Sequence, residues 1–128
     1  MGPVERAIRA TFNAPATLFT FGQRKPFVLS RIDSDGIVLL LGDGAWHTRL
    51  TWECLESVVP FLRGHPGWVP AGGKFSVAGE PGTLDQHLKR YLKRDVARWL
   101  ARVLSNAAVV EVSEGPPLRL RLFLRFGR

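Results

Sequence analysis

The spacing of apolar positions changes several times along the chain, and each change marks an element. Behind Pro3, a residue suited to a first helical position, Val4, Ala7, Ile8 and Thr11 fall at intervals of three and four and predict a short helix from Val4 to Thr11. From Pro26 the rhythm is that of strands. Phe27, Val28, Leu29 and Ile32 precede the turn signal Ser34-Asp35-Gly36. Ile37 to Leu41 follow, then a second turn at Gly42-Asp43-Gly44. This predicts a β-hairpin with a third short strand around Trp46 to Leu50. Thr51 then reads as a helix N-cap, with Glu53 in the first turn and Leu50 and Leu55 placed as a hydrophobic staple. The helix buries Trp52, Leu55, Val59 and Leu62; Pro60 is expected to kink or end it, and Gly64 to terminate it.

Glycine and proline dominate from Gly64 to Gly82, which predicts a long loop with a short strand at Trp68-Val69. Thr83-Leu84-Asp85-Gln86 fits a capping box, Thr83 capping the helix and Gln86 reaching back to the Thr83 amide. Apolar residues continue at helical spacing to Leu104, but their centre drifts by more than a quarter turn at about 100° per residue, too much for one straight helix. Two helices, Leu84 to Lys93 and Val96 to Ser105, with Asp95 capping the second, fit better. A β-rich run from Ala107 to Val112 leads through Ser113 to Pro117 into strict alternation. There Leu118, Leu120, Leu122, Leu124 and Phe126 lie on one side, with Arg119, Arg121, Phe123 and Arg125 on the other.

Charge adds to this pattern by being uneven. The chain of 128 residues carries a formal net charge of +7. Residues 1–82 hold eight Lys/Arg against seven Asp/Glu, whereas residues 83–128 hold ten against four. A basic field confined to one segment attracts phosphate backbones or anionic surfaces. A plain surface of solubilising arginines is the competing account. Length and the 45% hydrophobic content suit one domain, 1–128, made of a hairpin and helix over 1–63, the Gly/Pro-rich loop over 64–82 and a basic unit over 83–128. With one cysteine, Cys54, no internal disulfide can form. No apolar run approaches a spanning helix or a signal peptide, and a cytoplasmic location is the default expectation.

The order helix, turn, helix, strand, Gly/Pro turn, strand over the last third resembles winged helix-turn-helix DNA-binding domains, with Asp95 to Val112 similar to a second helix running into a first wing strand. The resemblance implies an α+β fold in which an N-terminal β-hairpin and helix pack on a C-terminal winged-helix-like unit. It also implies a second helix facing the major groove and a wing tip at Ser113 to Pro117. The glycine-rich loop is a departure, leaving Trp52 to Leu62 as the segment able to supply a first helix.

The residues themselves support contact with phosphates. Lys89, Arg90, Lys93 and Arg94 surround the junction between the two helices, and Arg98 and Arg102 continue along the second, flanked by Ala97 and Ala101, which would permit close approach to a groove. Arg119, Arg121 and Arg125 form a strand ladder that would meet phosphates or protect an edge strand. Trp46, Trp52, Trp68 and Trp99 are expected in the core.

Enzymatic signals are absent. Gly72-Gly73-Lys74 lacks the Ser or Thr of a phosphate loop because Phe75 follows. Asp33, Asp35 and Asp43 read as turn formers before they read as cation ligands. His47, His65 and His87 have no metal spacing, and Cys54 has no basic neighbour. The expectation is a non-enzymatic, cofactor-free protein that binds duplex DNA, with RNA as another nucleic-acid target. A protein-interaction module with an acidic partner is the alternative.

Overall fold

The computed structural model describes residues 1–72 and 82–127. The chain folds as α+β, with four α-helices and two antiparallel sheets among those residues. Helix α1 spans Pro3–Thr11 and turns Val4 and Ile8 into the core. Strands β1 (Ala16–Phe19), β2 (Pro26–Asp33), β3 (Gly36–Leu41) and β4 (Trp46–Thr51) form a meander in that order. The expected hairpin and third strand are therefore present, preceded by a strand that the sequence reading lacked. β3 lies between β2 and β4 and is the most buried of the four, with Ile37 and Leu39 fully covered. At its first residue Gly36 takes φ +144°, and a Cβ there would lie 2.0 Å from the Leu50 carbonyl oxygen. The turn that opens β3 thus requires glycine.

Helix α2, Trp52–Arg63, begins as its cap predicts: the Cys54 N–H donates to Thr51 Oγ1 at 3.2 Å, and Leu50 and Leu55 are both buried. Pro60 does not end it. The helix continues to Arg63, where the Gly64 N–H donates to the Pro60 carbonyl at 3.1 Å; proline costs the helix one donor there, and the exposed position leaves room for the ring.

Strand β5, Val69–Pro70, pairs with β7 (Arg119–Leu122), which also pairs with β6 (Val110–Ser113), giving a second sheet in the order β5-β7-β6. Between β5 and β6 lie α3, Leu84–Leu88, and α4, Ala97–Asn106. The division into two helices matches the apolar drift, with three local differences. Thr83 Oγ1 accepts the Gln86 N–H at 3.1 Å, but the returning Gln86 Oε1 takes the Gly82 N–H at 3.1 Å, one residue before the capping-box partner. α3 ends at Leu88, five residues early. α4 starts after Val96 without a side-chain cap, because Asp95 turns to Lys89 instead. The alternating C-terminal strand stops at Leu122; Leu124–Phe126 form a 3₁₀ turn that leaves Leu124 exposed. Nearly half of the Gly/Pro-rich loop, residues 73–81 with Lys74, lies outside the described residues.

One cluster of buried apolar side chains runs from Val4 to Leu122 and joins both sheets to the helices. Leu84, Leu88, Leu100 and Leu104 bring α3 and α4 into it, which fixes the segment between them as a surface elbow. Among the described residues no helix is long and apolar enough to cross a membrane.

Candidate nucleic-acid interface

The elbow from Lys89 to Val96 carries the densest group of expected site residues. Two helices that each bury leucines diverge here; Leu92 and Val96 turn to the core, and Arg90, Tyr91, Lys93, Arg94 and Asp95 are exposed. Lys89 lies inward of the rest: its Nζ donates to Asp85 at 2.8 Å and to Asp95, tying the end of α3 to the start of α4. Asp85 is fully buried, so Lys89 is the cation that balances it and is committed to the fold. Burial lowers the Lys89 pKa and the two carboxylates raise it, and the carboxylates prevail. Arg90, Lys93 and Arg94 are exposed, and none of the ion pairs found among the described residues includes them.

Arg94 instead lies 5.0 Å from the centre of the Trp46 ring. Trp46 opens β4 directly after the turn at Gly42 to Ala45, and 58% of it is exposed. The expectation of a core tryptophan fails here: the polar neighbour His47 and the preceding turn leave Trp46 at the exposed start of β4. Trp68 is also exposed, by 38%, while Trp52 and Trp99 pack partly on the core as expected. Tyr91, 39% exposed, lies at the other side of the elbow beside His87. The result is three cations uncommitted to carboxylates, flanked by two aromatic rings, with Asp95 taken up by Lys89.

The other expected residues do not join this group. Ala97 and Ala101, the small residues thought to permit groove approach, are 1% and 0% exposed. Arg102 reaches back to the first sheet, its Nε donating to the Phe19 carbonyl at 2.6 Å while its guanidinium lies 3.6 Å from the Phe21 ring centre. Burial lowers its pKa, with Arg24 adding to the effect. Arg98, one turn earlier, faces a cleft beside Phe21, Glu114 and Pro116. The outward side of α4 is thus shared with β1 and the loop after it.

Arg119 and Arg121 lie on β7. Arg121 pairs with Glu111 at 2.8 Å and stacks on Trp68 at 4.3 Å, while the Arg119 Nε is buried with no acceptor among the described residues. Arg125 falls on the 3₁₀ turn, donating to the Ala107 and Ala108 carbonyls at 3.1 and 3.3 Å. The expected three-rung ladder is therefore two rungs and a separate residue, because β7 ends before the third.

Two further groups of polar side chains lie apart from these cations. Asp33 is held by Arg49 through contacts of 2.5 and 3.0 Å and by Arg31 at 3.1 Å, and its Oδ1 takes the Asp35 N–H. The Arg49 hydrogen bonds, aided by the Asp35 amide, hold its carboxyl well below the usual range. Its lone pairs are thus used by arginine and the turn, and no group of three metal-ligating side chains occurs among the described residues. Ser57 and His87 approach to 2.8 Å, a contact absent from the sequence reading because thirty residues separate them. The Ser57 hydroxyl also lies 2.5 Å from the Cys54 carbonyl, to which it can donate.

No protein-family model, curated protein or solved structure matches this chain.

Proposed function

We propose that the protein binds nucleic acid, duplex DNA above all, without chemistry, and that the elbow between α3 and α4 is the contact surface. The observation that carries this reading is the exposed pairing of Trp46 with Arg94 beside Arg90 and Lys93, cations whose charge no carboxylate of the described structure offsets. Arginine and lysine in this state gain most from a phosphate backbone, where each contact releases counterions. Trp46 and Tyr91 add ring faces that stack on bases exposed at ends or gaps.

The arrangement from α2 to β7 supports a winged-helix-like unit. α2 supplies the upstream helix, α3 and α4 the helix pair, and β6 and β7 the wing, with β5 extending the wing sheet. Because β1 and Phe21 lie against Arg102, the reading favours contact through phosphates over entry of α4 into the major groove. Backbone contacts position a protein without reading sequence, so affinity should vary little between duplexes of equal length.

Light scattering on size-exclusion fractions, with and without a short duplex at low salt, tests this. Co-elution as a complex of defined mass is expected. Separate elution would end the nucleic-acid reading, and equal binding to polyglutamate would favour an acidic protein partner.

A further inference from the structure

At the far end of α4 from the elbow, three arginines converge on one cleft. It has a volume of about 730 Å³ and lies between α1, the end of α2 and the segment after β7. Arg6, Arg63 and Arg125 line it, and among the described residues no carboxylate does. Elsewhere Arg9, Arg24, Arg31, Arg49 and Arg121 each pair with an Asp or Glu. None of the ion pairs among the described residues includes Arg6, Arg63 or Arg125.

Two of the three are held in place. Arg63 donates to the Phe126 carbonyl at 2.8 Å, and Arg125 to the carbonyls of Ala107 and Ala108 at the end of α4. Those bonds fix orientation but neutralise no charge beyond the partial charge of the helix end. The Arg6 side chain, on α1, has no bonded partner among the described residues. Ala7 and Ala10 from α1, Val59 from α2 and Phe126 give the wall an apolar part, with Thr11 and Asn106 as its uncharged polar residues. Small residues on α1 make the space, since Val4 and Ile8 occupy its opposite, buried face. Positive charge at the rim, with an apolar wall and preset donors, is the composition of a ligand site that takes an anion with a hydrocarbon body.

We propose that this cleft binds a small organic anion, a carboxylate or phosphate monoester carrying an aromatic or alkyl group. The guanidiniums meet its head, and its body lies on Ala7, Ala10 and Phe126. This site is independent of the nucleic-acid surface.

Phenyl phosphate, titrated into the full chain and followed by amide NMR shifts, provides the test. Saturable shifts are expected at Ala7, Ala10 and Ala108, weaker ones with inorganic phosphate, and none with benzyl alcohol. Arg6→Gln should weaken binding about tenfold, the loss of one charge-assisted bond. Arg9→Gln, on the same helix but paired to Glu5, should not. Because the Arg6 side chain makes no hydrogen bond among the described residues, the variant's remaining spectrum should be unchanged. Absence of saturation at millimolar phenyl phosphate, unchanged affinity in Arg6→Gln, or strongest shifts at Trp46 and Arg94 would each overturn the proposal. The last result would assign the anion to the elbow instead.

Discussion

Helix α1 has no side-chain cap of its own, since its N-cap is Gly2; the role falls to Glu56, on α2 and more than fifty residues away. The Glu56 carboxylate accepts the N–H groups of Val4 at 3.0 Å and Glu5 at 2.9 Å. Hydrogen bonds to a charged group contribute about 1.5 to 3 kcal/mol each, with a few tenths more from a carboxylate at a helix N-terminus. Both hydrogen bonds are only partly buried, so water replaces part of what is lost and roughly halves the sum; Glu56→Ala should cost about 2–3 kcal/mol. With an unfolding entropy of about 2.1 cal/mol/K per residue over 128 residues, that is a fall in Tm of about 9 °C. Gly2→Ala acts on the same contact. A Cβ at Gly2 would meet the Glu56 carboxylate at 2.2 Å, and Gly2 has an ordinary φ of −77°, so the effect is steric and not conformational. Pushing the carboxylate aside should forfeit much of the same energy, about 1–2 kcal/mol. The two substitutions together should then cost little more than Glu56→Ala alone. Urea unfolding of the four proteins of this cycle is the assay. Strict additivity, or a Glu56→Ala variant as stable as the parent, would refute the capping argument.

Other expectations follow from the interior. Burial, assisted by Arg90 and His65, lowers the His87 pKa, so the unfolded chain takes up its proton first as pH falls through about 6.5. Stability should decline as pH falls below about 6.5, the unfolded value, and His87→Gln should flatten that decline. An unchanged pH dependence in the variant would contradict it. The Cys54 thiol, 1% exposed, is pushed up to about 11 by burial and by Glu53. It should resist a thiol reagent near pH 8 in the native protein and react fully in denaturant; rapid native reaction would show that α2 opens locally. Leu104→Ala removes a fully buried side chain and should cost about 2–5 kcal/mol, read from the same urea curves.

What the sequence made legible was local. The strands β2 to β4, the Thr51 cap and the break between α3 and α4 each follow from spacing and turn chemistry within a dozen residues. β1 escaped because Ala16 to Phe19 is too short to show a period, and its strand character comes from pairing with β2. Pro60 misled because propensity alone cannot register that an exposed helix face tolerates the ring. The elbow cations were visible as residue types, but Trp46 lies forty-eight positions from Arg94, and only the tertiary fold brings the start of β4 beside the elbow. The same holds for Arg102 with Phe19 and for Arg6 with Arg63 and Arg125. Convergence of residues from separate elements leaves no periodic trace in the chain.

The central claim, that the elbow binds a phosphate backbone, is tested most directly by the salt dependence of duplex affinity. Binding of a labelled duplex, measured by anisotropy over a series of KCl concentrations, should give a steep negative slope of log affinity against log salt. Replacing Lys93 and Arg94 together by alanine should reduce that slope by about two units, about one for each lost phosphate contact. Arg9→Ala, whose side chain is engaged by Glu5, should leave it unchanged. A flat response in the parent protein, or a double variant with the parental slope, would contradict the account.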